Sequence, residues 1–97
     1  MLCELGDKSG IADSLEAFAK LARQEQQDRR STPLWGAASA LREGIGAPRS
    51  PREQKLFDRE IAEARSTLGD TAFDAAFAEG RAMTMEQAVE YALSREL

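Results

Sequence analysis

Residues 68–93, LGDTAFDAAFAEGRAMTMEQAVEYAL, decide the fold class of this chain, because they hold two short amphipathic helices with separate start signals. Asp70 is predicted to cap the first of these helices, after a glycine that ends the preceding one. Thr84 and Gln87 form a capping box that opens the second. The apolar residues of both helices recur at three- and four-residue spacing. They are Phe73, Ala76, Phe77, Met85, Ala88, Val89, Ala92 and Leu93.

Similar signals predict three earlier helices. Residues 50–53 form another capping box, with proline at the first helical position. Pro33 is predicted at the same position of the second helix, after an N-cap at Ser31 or Thr32. No segment alternates polar and apolar residues over the length of a strand, so the predicted fold class is all-α. The predicted helices cover residues 11–26, 33–43, 51–68, 71–82 and 85–95.

The 97 residues suit one small domain, and its charge is mixed in sign with a net value of −4. Nucleic-acid binders usually present a basic patch or stripe, so no direct nucleic-acid binding is predicted. No secretory leader or apolar run of membrane-spanning length is present in the sequence. Cys3 is the only cysteine and cannot form an internal disulfide. We therefore expect a cytoplasmic protein that does not bind membranes.

Catalytic and metal-binding chemistry lacks the residues that it needs. The sequence contains no histidine, which excludes Ser/His and Cys/His nucleophile pairs and leaves the usual zinc or iron sites without ligands. Carboxylate pairs such as Glu60 with Glu63, or Glu86 with Glu90, are interpreted as solvated helix residues. The prediction is a protein with no catalytic residue, no metal and no cofactor, and not an enzyme.

Residues 11–46 are predicted to form a helical hairpin with tetratricopeptide-like spacing, in which small residues lie where the paired helices touch. Residues 1–10 are interpreted as the end of a preceding helix and a linker, and residues 50–97 as three further helices. Glu16 is placed on the polar face of the first helix. The glycine that such repeats usually carry at the end of this helix is Gln26 here.

With these residues in place, the chain resembles the C-terminal tetratricopeptide-like tail of large bacterial signalling regulators. These include LuxR-type transcriptional regulators with an ATPase core, serine/threonine kinases and adenylate cyclases. The resembling segments are LGDKSGIADSLEAFAKLA, LWGAASALREGIGAPRSP and IAEARSTLGDTAFDAAFAEGRAMTMEQAVEYAL. The resemblance implies a helical-repeat fold and a non-catalytic protein-interaction or scaffolding role.

End repeats of helical arrays need a polar face, and the first helix shows none at its outer side. We therefore expect an apolar face there that a second protein or a second copy covers, most simply as a symmetric homodimer. Trp35 is interpreted either as core or as part of this surface. The predicted interface residues are Leu2, Leu5, Ile11, Leu15, Phe18 and Trp35.

Two alternatives remain open from the sequence. Instead of an interaction module, the chain would then be a remnant of a larger regulator without an independent function, or a small-ligand sensor. The sensor would use a pocket between the hairpin and the third helix, lined by Phe18, Trp35 and Phe57.

Overall fold

The computed structural model describes residues 8–93 of the chain, and within this range it contains five α-helices and no strand. The all-α prediction is confirmed. Interpretations that concern residues 1–7, including Leu2, Leu5 and Cys3, lie outside the described residues, as does the predicted end of the fifth helix. The helices are α1 (Lys8–Gln24), α2 (Asp28–Ile45), α3 (Pro51–Leu68), α4 (Asp70–Arg81) and α5 (Met85–Leu93).

Both predicted capping boxes form. The Ser50 hydroxyl accepts a hydrogen bond from the Glu53 N–H (3.2 Å), and the Glu53 carboxylate accepts one from the Ser50 N–H (3.0 Å). The Thr84 hydroxyl and the Gln87 amide make the equivalent pair before α5, at 3.0 and 2.9 Å. These bonds satisfy N–H groups that have no partner inside a helix, so α3 and α5 begin where the sequence predicts.

The predicted start of α2 is wrong, because the helix begins five residues earlier, at Asp28, and Pro33 lies inside it. The Ser31 and Thr32 hydroxyls do not cap N–H groups. Both donate to the Asp28 carbonyl, at 3.0 and 2.9 Å, and both side chains are buried. Asp28 is also held by Arg23 of α1, whose Nε lies 2.8 Å from its carboxylate. These contacts support a helical turn before the proline, at a point where its missing N–H would otherwise favour a helix start.

The predicted capping role of Asp70 is also wrong. Gly69 occupies the N-cap position of α4, with no side-chain cap, and Asp70 is the first helical residue. The Asp70 carboxylate instead accepts a hydrogen bond from Arg65 at 3.2 Å, near the end of α3.

The α2 helix is the centre of the fold, because α1 packs along one side of it and α4 along another. Its buried stretch is continuous from Ser31 to Ser39, whereas Ala64 is the one buried residue among the eighteen of α3. The α5 helix closes one side of the core with Ala88 and Ala92, which belong to the same apolar cluster as residues of α1 and α2. The α3 helix therefore lies at the margin of the core.

Two glycines allow α2 and α4 to approach closely. A Cβ at Gly36 would overlap the Phe77 carbonyl oxygen of α4, and a Cβ at Gly80 would overlap the backbone of Pro33 in α2. Each helix thus places a glycine against the main chain of the other. We call this contact, made by Gly36, Gly80, Pro33 and Phe77, the glycine seam.

The turn between α1 and α2 places a non-glycine residue in the left-handed region. Gln26 has a φ of 63°, and the next N–H, that of Gln27, donates to the Ala22 carbonyl at 2.8 Å. This hydrogen bond is typical of helices that end at a glycine, and Gln26 occupies the position where tetratricopeptide-like repeats usually carry that glycine.

Replacing Gln26 with glycine is expected to stabilise the fold by about 1 kcal/mol. Relief of the left-handed conformation, roughly 1–2 kcal/mol, exceeds the entropic cost of a glycine, roughly 0.5–1 kcal/mol. Urea denaturation measures the difference. Gln24→Gly, at the exposed last residue of α1, is the matched control and should destabilise by up to about 1 kcal/mol. Equal losses in both variants would contradict the prediction.

Candidate functional site

The predicted exposure of Ile11 and Leu15 is wrong, because each retains 2% of its accessible surface. Since α5 packs against both α1 and α2, its Ala88 and Ala92 join these side chains in one core cluster. Arg30 of α2 secures this arrangement, because its guanidinium donates to carbonyls near the end of α5, at 3.0 and 3.3 Å. The outer face of α1 is therefore covered by the chain's own fifth helix.

The other predicted interface residues differ in how far they are buried. Trp35 is 1% exposed, which confirms the core alternative for its ring. Phe18 is half-buried and packs against the core cluster. Leu2 and Leu5 lie outside the described residues. The structure therefore does not bring the four described residues, Ile11, Leu15, Phe18 and Trp35, together on one open face.

An open groove of about 330 Å³ lies between α1 and α3, where the sequence predicted a pocket between the hairpin and the third helix. Trp35 and Phe57 line it as predicted, whereas Phe18 lines a different and much smaller crevice, of about 10 Å³, beside α5. The apolar sides of the groove are Ala17 and Leu21 of α1 and Leu56 of α3. We call this feature the α1/α3 groove.

Trp35 has an unused hydrogen-bond donor. Its ring meets the Phe57 ring edge-on, with centroids 5.5 Å apart and an interplanar angle of 75°. Its Nε1 is buried and has no hydrogen-bond partner within residues 8–93. A buried donor without a partner costs roughly 1–3 kcal/mol, and tryptophan N–H groups usually find one.

A buried ion cluster lies at one end of the groove. The Glu16 carboxylate accepts hydrogen bonds from Arg42 of α2, at 3.0 and 3.2 Å, and from Arg49 of the α2–α3 loop, at 2.7 Å. Arg42 also pairs with the exposed Asp13. The Arg49 guanidinium in turn lies 3.7 Å from the Phe57 ring centroid. We call Glu16, Arg42 and Arg49 the Glu16 cluster; it joins α1, α2 and the start of α3.

The two arginines of this cluster respond differently to burial. Burial lowers the pKa of Arg42, but its hydrogen bonds and charge interactions with Glu16 and Asp13 outweigh that effect and raise it. Burial dominates at Arg49 and lowers its pKa despite Glu16. Arg42 and Arg49 share the carboxylate of Glu16, and the Arg42 charge repels that of Arg49. Glu16 therefore does not offset the effect of burial on the pKa of Arg49.

Arg23 joins α1 and α3 near the opposite end of the groove. Its Nη1 lies 2.6 Å from the Glu60 carboxylate and 2.8 Å from that of Glu63. Burial opposes its charge, but these carboxylates and Asp28 together raise its pKa. Ion pairs therefore lie at the two ends of the groove, and apolar side chains line its middle.

A second cavity, of about 500 Å³, lies among α2, α3, α4 and the α2–α3 loop, and three arginines line it. Arg42 and Arg49 are engaged by Glu16, as described above. Arg81 makes a two-pronged contact with Glu43 at 2.8 and 3.0 Å, and this hydrogen bonding lowers the pKa of Glu43. Because each guanidinium already has a carboxylate partner, the cavity offers no uncompensated charge to an anion.

Two other kinds of site are absent from residues 8–93. No group of three or more histidine, cysteine, aspartate or glutamate side chains is arranged to hold a metal ion in this range. Among the described helices, none combines the length and the apolar character needed to cross a lipid bilayer.

Sequence similarity connects this all-helical chain with bacterial transcriptional regulators. The chain is 33% identical, over 89 residues, to a Mycobacterium bovis protein named as a putative HTH-type transcriptional regulator. Two Mycobacterium tuberculosis proteins, from different strains, match with the same identity and carry the same description. The match covers 92% of this chain but 10% of each relative, so the chain spans about a tenth of their length. No family model matches the chain, and no solved structure matches it.

Proposed function

We propose that the chain is a non-catalytic helical interaction module of a bacterial transcriptional regulator. The observation that carries this proposal is the asymmetry of the match: 92% of the chain aligns with a tenth of a regulator. A segment of that size corresponds to one helical unit within a much longer polypeptide. Its work there would be to pack on another part of the regulator or on a partner protein in the cytoplasm.

The packing of the helices supports a repeat-like origin for this module. The α1–α2 hairpin has the most extensive helix–helix contact of the described fold, and small residues such as Ala19 and Ala38 are fully buried in it. Such pairing of small residues is typical of tetratricopeptide-like hairpins. We propose that the hairpin derives from the last repeat of such an array, followed by three closing helices.

A partner surface other than the outer face of α1 is needed in this proposal, because Ile11 and Leu15 are buried. A homodimer through that face therefore has no support from these two residues. The α1/α3 groove remains open and provides the alternative surface.

Direct DNA binding is the second candidate, and one observation favours it. Arg52, Lys55 and Arg59 are exposed at the spacing of one face of α3. Three phosphate contacts would give only weak, strongly salt-dependent binding. Several other arginines, including Arg23, Arg42 and Arg65, are already paired with carboxylates. We therefore propose protein binding and not DNA binding.

An exchange of segments in the Mycobacterium tuberculosis relative tests the proposal. Deleting its matched residues is expected to abolish regulation of a reporter gene, and inserting this chain in their place is expected to restore it. The reason is that the segment supplies a packing surface that the rest of the regulator needs. Full regulation by the deletion variant would overturn the proposal and support a remnant without function.

Fluorescence anisotropy of a random-sequence DNA duplex, mixed with this chain at low salt, decides between the two candidates. We expect no change up to high micromolar protein. Binding that weakens steeply with salt, and that is lost when Arg52, Lys55 and Arg59 are replaced by glutamine, would replace our proposal with the DNA-binding one.

A further inference from the structure

We propose that α3 is a detachable arm, which separates from α1 and α2 when the ion pairs that hold it are broken, while the other four helices stay packed together. Its separation would join the α1/α3 groove and the second cavity into one open face on α1 and α2. This property belongs to the chain itself and does not depend on a role in a regulator. Four observations carry it.

The first observation is that the centre of the fold does not depend on α3. The buried members of the apolar core cluster all belong to α1, α2 and α5. The α4 helix is joined to α2 by the glycine seam, through Gly36 and Gly80. From α3, the side chains of Phe57 and Ile61 pack against the core cluster as partly buried groups. Removing α3 would therefore leave both the buried cluster and the glycine seam in place.

The second observation is the loose packing around α3. The α1/α3 groove, of about 330 Å³, and the second cavity, of about 500 Å³, both border this helix. Phe57 lines both of them, and its neighbours Leu56 and Gln54 line one each. Side chains that border open space lack partner atoms there. Packing therefore holds α3 less firmly than it holds a helix of the close-packed core.

The third observation is that charge attaches α3 to α1. Arg23 of α1 lies 2.6 Å from the Glu60 carboxylate and 2.8 Å from the Glu63 carboxylate of α3. These three side chains are 18%, 21% and 53% exposed, so water and dissolved ions reach them. Ion pairs that solvent reaches weaken as the salt concentration rises. We therefore expect the attachment of α3 to depend on salt.

The fourth observation is a pair of glycines that flank the arm, Gly46 before its loop and Gly69 at its end. Both have a positive φ, of 67° and 88°, and no described atom lies within 4 Å of the Cβ position of either. The backbone can therefore change direction at both positions without a clash. Beyond Gly69, Arg65 holds the arm to α4 only through the exposed carboxylates of Asp70 and Asp74.

Hydrogen exchange of backbone amides, followed by nuclear magnetic resonance of the 15N-labelled chain, tests the proposal. An isolated helix of the length of α3 is marginal in water, so its amides exchange when the arm separates. Each rate is divided by the rate of the same amide in an unstructured peptide. We expect these corrected rates to be at least about tenfold higher in α3 than in α2.

The same measurement at two salt concentrations tests the role of charge. Between about 0.1 M and 1 M sodium chloride, the screening length falls from about 10 Å to about 3 Å. The corrected rates in α3 should then rise about threefold relative to those in α2.

A double variant, Glu60→Gln with Glu63→Gln, removes both α3 carboxylates that Arg23 binds, while Arg23 keeps its pair with Asp28. The corrected rates in α3 should rise about fivefold, and those in α2 should stay unchanged. Asp58→Asn is the matched control, because the Asp58 carboxylate is exposed on α3 and bonds Gln54 of the same helix at 2.9 Å. It should change the rates less than about twofold.

Each of the following results would overturn the proposal. Equal corrected rates in α2 and α3 of the unmodified chain would show that α3 separates only when the whole fold unfolds. A double variant that raises the rates of α2 as much as those of α3 would show that the two helices open as one unit. No rise in α3, or an equal rise in Asp58→Asn, would show that the Arg23 ion pairs do not hold the arm.

Discussion

Replacing Gly80 with alanine is expected to destabilise the protein by about 3 kcal/mol or more, a large part of the stability of a small domain. The new Cβ would overlap the backbone of Pro33, which cannot move aside as the end of a flexible side chain could. The α2 and α4 helices would have to separate, and the seam between them would lose its packing. Urea denaturation followed by circular dichroism measures the loss.

Gly36→Ala tests the same seam from the opposite helix. Its Cβ would overlap the Phe77 carbonyl oxygen and approach the Arg81 nitrogen to 3.2 Å, so a similar loss is expected. Gly44→Ala is the matched control, because Gly44 is also in α2 but no described atom lies within 4 Å of its Cβ position. There alanine should stabilise the helix by up to about 1 kcal/mol. Similar stabilities for the three variants would show that α2 and α4 are not in close contact.

Replacing Glu16 with glutamine is the second substitution for which we expect a large loss, about 3 kcal/mol. The shape of the side chain is retained, but Arg42 and Arg49 lose the carboxylate that they share. Their side chains are 7% and 8% exposed, so water cannot replace the missing charge. Urea denaturation at neutral pH gives the difference.

Asp13→Asn is the control for this charge effect. Asp13 is on the same helix and pairs with the same Arg42, but its side chain is 65% exposed. Exposed pairs contribute little, so the expected loss is below about 1 kcal/mol. If Asp13→Asn cost as much as Glu16→Gln, burial of the Glu16 cluster would not be the cause.

The accuracy of the sequence predictions depended on how local each signal was. The α3 bounds, Pro51–Leu68, were predicted correctly because a capping box and a glycine mark the two ends in the adjoining sequence. The start of α2 was missed because residues 31–33 have the usual composition of a helix start. Only the contacts of Asp28 and of the two hydroxyls show that the helix begins earlier.

The predicted open face on α1 failed for a tertiary reason. The sequence shows that Ile11 and Leu15 form an apolar stripe, but it does not show that α5 returns to cover that stripe. Alanines at positions 88 and 92 were recognised as apolar, yet their small size is what lets α5 lie close to the core. Close approach at Gly80 depends on tertiary packing in the same way, because only the position of Pro33 in α2 shows that a Cβ would not fit there.

The candidate site was predicted in part. Trp35 and Phe57 do line a groove beside α3, because their large rings lie on faces that meet. Glu16 was assigned to a solvated face, since periodicity alone does not separate a paired buried charge from an exposed one. A signal was available in α2, where Arg42 follows Trp35 and Ala38 on one helix face and so indicates a charge directed toward the core.

The position of the glycine seam has a consequence for the order in which the protein is synthesised. The α1–α2 hairpin emerges from the ribosome before α4 and can fold early, because its contacts are local in sequence. Until residues 70–81 arrive, the side of α2 around Pro33 and Gly36 has nothing to pack against. During translation that bare strip of helix is where another nascent chain could bind by mistake, and the arrival of α4 removes the hazard.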